Sequence, residues 1–293
     1  MAESMLTPLD HRSRELTPHN SVAANLAWLA QPLSTAWHYR ELIAAVLRRE
    51  LVSRFSGSAV GWLWAIAGPI ITLAIYTVTF TRAVRLPVAS AQGTASDYTL
   101  QIFVGLMVFG LVTEVCCRAP LLLHEHSWLL KSSIFPCEVF AWIAVFRALT
   151  FAGVSLLVLL AFQLALTGAP LISLLLLPFI VIPFTLYLLG VVWFLAALGA
   201  FTRDLSYLMA SFVPLMMVAT PVFYRIDDLP QSVRLFVYLN PLSIVIEMAR
   251  ALILGTETFS LLAWAAFCAV SLLVFRAGHA VFAHYRGIAL DAI

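Results

Sequence analysis

Arg48, Arg49 and Arg54 stand at the edge of a polar break, Ser56-Gly-Ser-Ala-Val-Gly61. Guanidinium groups in such a place attract anionic headgroups. Further along, His124, Glu125, His126 and Lys131 fall in a mixed segment, 118–138. The two histidines lie too close in sequence, without further ligands, to make a metal site. Glu114 and Arg147 sit inside apolar runs. An ionisable side chain there either faces protein or water, or snorkels to the boundary. Glu247 and Arg250, three residues apart, can pair on one helical face. No Gly-x-x-x-x-Gly-Lys-Ser/Thr loop exists, since the sole lysine, Lys131, follows Ser-Trp-Leu-Leu rather than glycines. Nor does any Ser/His/Asp set or spaced metal cluster suggest catalysis, so the chain reads as no enzyme with no cofactor of its own.

The elements that position these groups are set by composition. At 62% hydrophobic and 11% charged residues, with a mean hydropathy of +0.97, the chain is far more apolar than a globular domain at roughly 45–50% and 25%. It reads as an all-α integral membrane protein. Residues 1–37 are a polar, Pro-containing tail without a compact apolar core, so no cleavable signal is expected there. Over 38–55, Ile43, Leu47, Leu51 and Phe55 recur every fourth residue while Arg40, Arg48, Arg49 and Ser53 turn away, which predicts an amphipathic interface helix. Six spans are expected, at about 61–81, 99–116, 139–166, 173–201, 205–223 and 261–282. Between the fifth and sixth, the stretch 229–254 is too interrupted by Asn240-Pro241, Glu247 and Arg250 to cross. It predicts two short helices that dip in and return to one side, the second opened by Pro241 with Asn240 as its cap. A short tail, 287–293, ends the chain.

Arginine placement gives the orientation. The tail and interface helix, the 118–138 segment, Arg203 and the C-terminal tail hold most of the sixteen arginines, whereas the turn at 167–172 has none. Both termini are therefore expected in the cytoplasm, and the 82–98 loop and the re-entrant pair outside. Cys116, Cys117 and Cys137 lie on or beside the cytoplasmic loop and Cys268 inside a span, which suggests no disulfide framework.

A crossing opened by Arg203-Asp204, then Pro221-Val-Phe-Tyr224, Leu229-Pro230, Asn240-Pro-Leu242 and Arg250, resembles the C-terminal half of the permease subunits of type 2 ABC exporters. Within them it is most similar to the polysaccharide-export class, which moves lipid-linked O-antigen, capsule or teichoic acid chains. The entry to the first span, Arg49-Glu50, Arg54-Phe55, Ser58, Gly61, Leu63-Trp64 and Pro69, fits as well, with Val60-Gly61 in place of the usual Leu-Gly. The resemblance implies an inner-membrane homodimer bound to two copies of a separate ATPase subunit, which would hold the ATP and Mg. It implies that Arg48, Arg49, Arg54 and Gly61 meet the pyrophosphate of an undecaprenyl-linked chain. Glu125, His126, Trp128 and Lys131 would belong to the coupling segment that docks on the ATPase. Phe223, Tyr224, Tyr238, Glu247 and Arg250 would form the outer gate and exit path, where the aromatics, with Phe236, have two readings: an interfacial belt or rings that stack on sugars. Membrane lipids are further partners and nucleic acid is none. An exporter of a drug or small lipid is the alternative, since the bundle is shared. A secondary transporter is less favoured because midplane carboxylates are missing apart from Glu114.

Overall fold

A computed structural model of the chain describes residues 31–79, 95–127, 129, 136–167, 175–255 and 260–291. All regular structure among them is helical. After a helical stretch at 31–38 and a turn at Tyr39 come α1 (Arg40–Ser53), α2 (Leu63–Val78) and α3 (Ala95–Arg118). Two short turns, Ala119–Leu121 and Leu122–Glu125, follow. Then come α4 (Val139–Thr167), α5 (Leu177–Gly199), α6 (Asp204–Ala219), α7 (Gln231–Leu239), α8 (Pro241–Leu254) and α9 (Leu261–Asp291).

Four helices, α3, α4, α5 and α9, are long and apolar enough to cross a membrane. Two expected spans correspond to shorter helices among the described residues: α6 has 16 residues against 205–223, and α2 has 16, with 80–81 of the expected 61–81 lying outside the described residues. That is about 24 Å of helix against a hydrocarbon core of about 30 Å. Physical breaks set these ends. Gly61, with a φ of 56°, turns the chain just before α2, and Thr220 leaves α6 in extended geometry (φ −105°, ψ 142°) ahead of Pro221. The second expected span, α3, is longer than 99–116 at both ends, α5 of the fourth begins at Leu177, with 173–174 outside the described residues, and α9 runs on past 282 to Asp291, into the 287–293 stretch where a tail was expected. The 1–30 portion of the N-terminal tail and most of the 82–98 loop lie outside the described residues.

The pair α7–α8 forms as expected and bends by 96° at Asn240. Asn240 Oδ1 accepts the Leu242 amide at 3.0 Å, and Gly255 closes α8 in the left-handed region at φ 65°. Tyr98, near the start of α3, donates to the Phe223 carbonyl at 2.6 Å. Gln163, near the end of α4, donates to the Ile253 carbonyl at 3.0 Å. The Trp264 indole of α9 donates to the Phe179 carbonyl of α5 at 2.8 Å. Phe223, ahead of the pair, and Ile253, near its end, thus lie with the start of α3 and the end of α4.

The tightest helix crossing is between α5 and α9, where two glycines meet backbone to backbone. A Cβ on Gly278 would run into the Gly190 carbonyl, and one on Gly190 into the backbone of Val274 and Phe275. Below the crossing Trp193 packs edge-on against Phe275 (5.2 Å between ring centroids) and His279 (5.0 Å). Small residues let apolar helices approach without a hydrophobic driving force between them. Gly278→Val is accordingly expected to push α9 off α5 and to lower stability by on the order of 3 kcal/mol. Thermal unfolding of the purified protein in detergent checks this, and an unchanged midpoint would contradict the close approach.

Candidate functional site

The end of the bundle where α3 finishes and α4 begins holds a knot of charge drawn from four separate elements. Glu50 lies on the inward stripe of α1, in register with buried Ile43 and half-buried Leu47, so its carboxylate points at protein. One oxygen accepts His126 Nε2 at 3.0 Å. The other accepts Arg118 and Arg147, each through Nη1 at 3.3 Å. Arg147 also holds Glu114 through Nη2 at 2.7 Å and Nε at 3.0 Å. Glu114 accepts Arg54 at 3.2 Å, and Arg118 reaches on to Glu125 at 2.8 Å. The two intramembrane ionisable residues therefore face each other, and charge-assisted bonds offset the cost of keeping them from water.

His126 is the hinge of this knot. Its Nδ1 lies 2.9 Å from the Leu122 carbonyl while its Nε2 meets the Glu50 carboxylate, so both ring nitrogens face acceptors. Only the doubly protonated ring can donate to both. Burial works against that charge. The hydrogen bonds to Glu50 and Leu122 and the charges of Glu50 and Glu125 outweigh it, and its pKa stands above the ordinary 6.5. The Phe140 ring lies 4.6 Å away between centroids and closes the pocket on its apolar side.

The residues expected to receive an anionic headgroup separate into two kinds. Arg48 and Arg49 are exposed on α1. Arg54 instead lies over the Phe151 ring, 4.1 Å from its centroid, and bonds Glu114. Gly61 is required by the left-handed turn that separates α1 from α2. Of the residues expected to dock on an ATPase, Glu125 and His126 join the knot, while Trp128 and Lys131 lie outside the described residues. Among those residues no group of three or more His, Cys, Asp or Glu is placed to hold a metal.

At the opposite end Arg250 is almost wholly enclosed, its side chain 1% exposed. It donates to the carbonyls of Gln101 (3.2 Å), Val222 (2.9 Å) and Tyr224 (3.3 Å) and to the Glu247 carboxylate (3.1 Å). The expected pair forms, and the arginine does more with main chain than with Glu247. Gly105 makes room: a Cβ there would press on Val222 and on the guanidinium itself. Asn240 Nδ2 ties back to Thr220 at 2.9 Å. Arg234 seals the next turn through the carbonyls of Asp227 (2.7 Å) and Leu229 (3.0 Å). Phe223 is half-buried beside Tyr76 (6.4 Å), Tyr224 donates to the Val218 carbonyl at 3.3 Å, and Phe236 and Tyr238 are exposed.

Sequence reasoning missed two partners. Glu50 appears only as part of a motif, although a carboxylate on the buried stripe of an amphipathic helix is itself a signal. Glu138 is the other: it accepts Arg286 at 3.0 Å and sits 3.7 Å from His279, fixing the C-terminal part of α9 to the start of α4.

The sequence profile described as ABC-2 type transporter matches residues 41–254. A protein named O-antigen export system permease protein RfbA, from Myxococcus xanthus, is 25% identical over 85% of this chain and 94% of its own length. Two proteins of the same name from Klebsiella pneumoniae are 25% identical, covering 73% of this chain and 81% of theirs, and 23% identical, covering 80% and 88%.

Proposed function

The chain belongs to the ABC-2 type transporter family, and from that premise we propose that it is the permease subunit of an ATP-driven exporter moving an undecaprenyl-diphosphate-linked polysaccharide, of O-antigen or capsule kind, out of the cytoplasm. It works as a homodimer in the inner membrane with two copies of an ATPase subunit that carry the ATP and Mg. The chain crosses six times, with α2 and α6 as the short first and fifth crossings, and both termini are cytoplasmic. α1 lies in the interface, and the names of the relatives favour the polysaccharide over a drug or small lipid.

One observation carries the reading: α1 presents Arg48 and Arg49 outward while its inward side is locked to the loop that leads to the ATPase. Guanidinium forks suit a pyrophosphate, and here they ride on the element that the ATPase side can move. Removing the chain from its host and scoring surface polysaccharide by immunoblot tests this. Loss of the surface chain with accumulation of lipid-linked polymer inside is expected, and unchanged surface polymer would overturn the reading.

Topology is checked separately. In a background freed of native cysteines, Gln231→Cys is expected to react with a membrane-impermeant maleimide in intact cells, and Lys131→Cys only after permeabilisation. Reaction at position 131 in intact cells would rule out six crossings.

A further inference from the structure

The knot at the inner end is more than a brace, because of where its members come from. Three cationic donors reach the Glu50 carboxylate from three elements: Arg118 at the end of α3, Arg147 within α4, and His126 in the turn after α3. Arg54, just past the end of α1, reaches back to Glu114 on α3. Glu50 is only 15% exposed and Arg147 only 11%, so water does little to screen these contacts. α1 and the 122–126 turn thus cannot shift against each other without breaking charge-assisted bonds on a largely enclosed carboxylate. The same turn leads directly into the segment expected to meet the ATPase, and the same helix carries Arg48 and Arg49.

We propose that Glu50 is a positioning residue of the transport cycle: paired with the imidazolium of His126, it passes displacement of the first cytoplasmic loop to α1, and the link is proton-dependent. The inference rests on the exporter reading for its use, and on geometry alone for the link. Around His126 the charged groups are Glu50 from α1 and Glu125 next to it in the chain, with Arg118 from the end of α3 and Arg147 from α4 on the other oxygen of Glu50. The ring is the member of the knot that changes charge near neutrality. The sign follows from the raised pKa. The link is complete below the ordinary 6.5 of histidine. It weakens as pH climbs through the higher, folded-state value, because the ring loses its charge and can then donate to only one of its two acceptors.

Two measurements test it, one of them independent of any substrate. Spin labels at Ala45→Cys on α1 and Ser127→Cys in the turn, in nanodiscs and with the four native cysteines replaced by alanine, report the distance between the two elements. One narrow distance is expected at about pH 6, broadening as the pH is raised into the alkaline range. Glu50→Gln is expected to be broad throughout, and His126→Gln to show no change with pH. A narrow, pH-independent distance in every variant would overturn the link.

In the assembled permease–ATPase complex, Glu50→Gln is expected to keep ATP hydrolysis within about twofold of normal while polysaccharide moved per ATP falls roughly tenfold or more. A merely structural role would lower both together, and that result would overturn the positioning assignment. A pH-dependent distance in a protein that moves no polysaccharide would leave the link standing and remove the exporter reading instead.

Discussion

Arg250→Ala is expected to be among the most damaging single substitutions in this chain. The side chain is enclosed and donates to three main-chain carbonyls and one carboxylate drawn from α3, the 220–224 segment and α8. Removing it forfeits charge-assisted bonds of roughly 1.5–3 kcal/mol each and leaves buried acceptors without a donor. Because these terms are not additive, a total of on the order of 4 kcal/mol is the sensible expectation. The variant should accumulate poorly and unfold at a clearly lower temperature in detergent. Arg250→Lys separates charge from shape, since a single ammonium on a flexible stem cannot replace a planar fork spanning three carbonyls. It should recover only part of the loss. Normal stability in the alanine variant would mean that the 220–224 segment is held by something other than this arginine.

Arg48→Ala combined with Arg49→Ala should leave the fold and the complex with the ATPase intact and abolish most export. Both residues are exposed on α1, so their loss opens no cavity, and exposed substitutions usually change stability by less than about 0.5 kcal/mol. A pyrophosphate at the interface would lose contacts worth roughly 1.5–3 kcal/mol apiece, which corresponds to a drop in capture of at least about tenfold. The double lysine variant keeps the attraction without the fork and should export partially. Surface polysaccharide, immunoblotted at matched permease levels, is the readout. Full export from the alanine variant would leave α1 an anchor. Arg54 does not belong in this experiment: it bonds Glu114 and covers Phe151, so its removal would confuse headgroup capture with disruption of the knot.

Local chemistry made parts of this architecture readable and hid others. The helix Pro241–Leu254 was legible to the residue because both of its ends carry their own signals: Asn240 and Pro241 at the start, Gly255 with positive φ at the finish. The helix over 139–166 was legible to within a residue because its apolar run is long and carries only one charged residue, Arg147. The start of α2 and the end of α6 were not, since hydropathy counts apolar residues without registering that Gly61 and Thr220 turn the backbone. Glu50 was harder still. Its partners lie 68, 76 and 97 residues away, and no spacing rule reaches that far. What the sequence does offer is a pair of ionisable residues, Glu114 and Arg147, in runs where each must find a partner, and a carboxylate on the wrong side of an amphipathic helix.

The clamp around Arg250 addresses carbonyl groups, which every residue type supplies. Gln101, Val222 and Tyr224 contribute their backbones to it, so the clamp itself does not depend on which side chains they carry, provided that Gly105 stays small, the buried positions stay filled and the helix ends stay put. The knot at the other end is written in side chains on both sides of every bond but one. A change at Glu50, Glu114 or Arg147 can be tolerated there only when a second, compensating change arrives with it. Random mutagenesis followed by selection for export should therefore return scattered single replacements around the outer turn and linked doubles at the inner one.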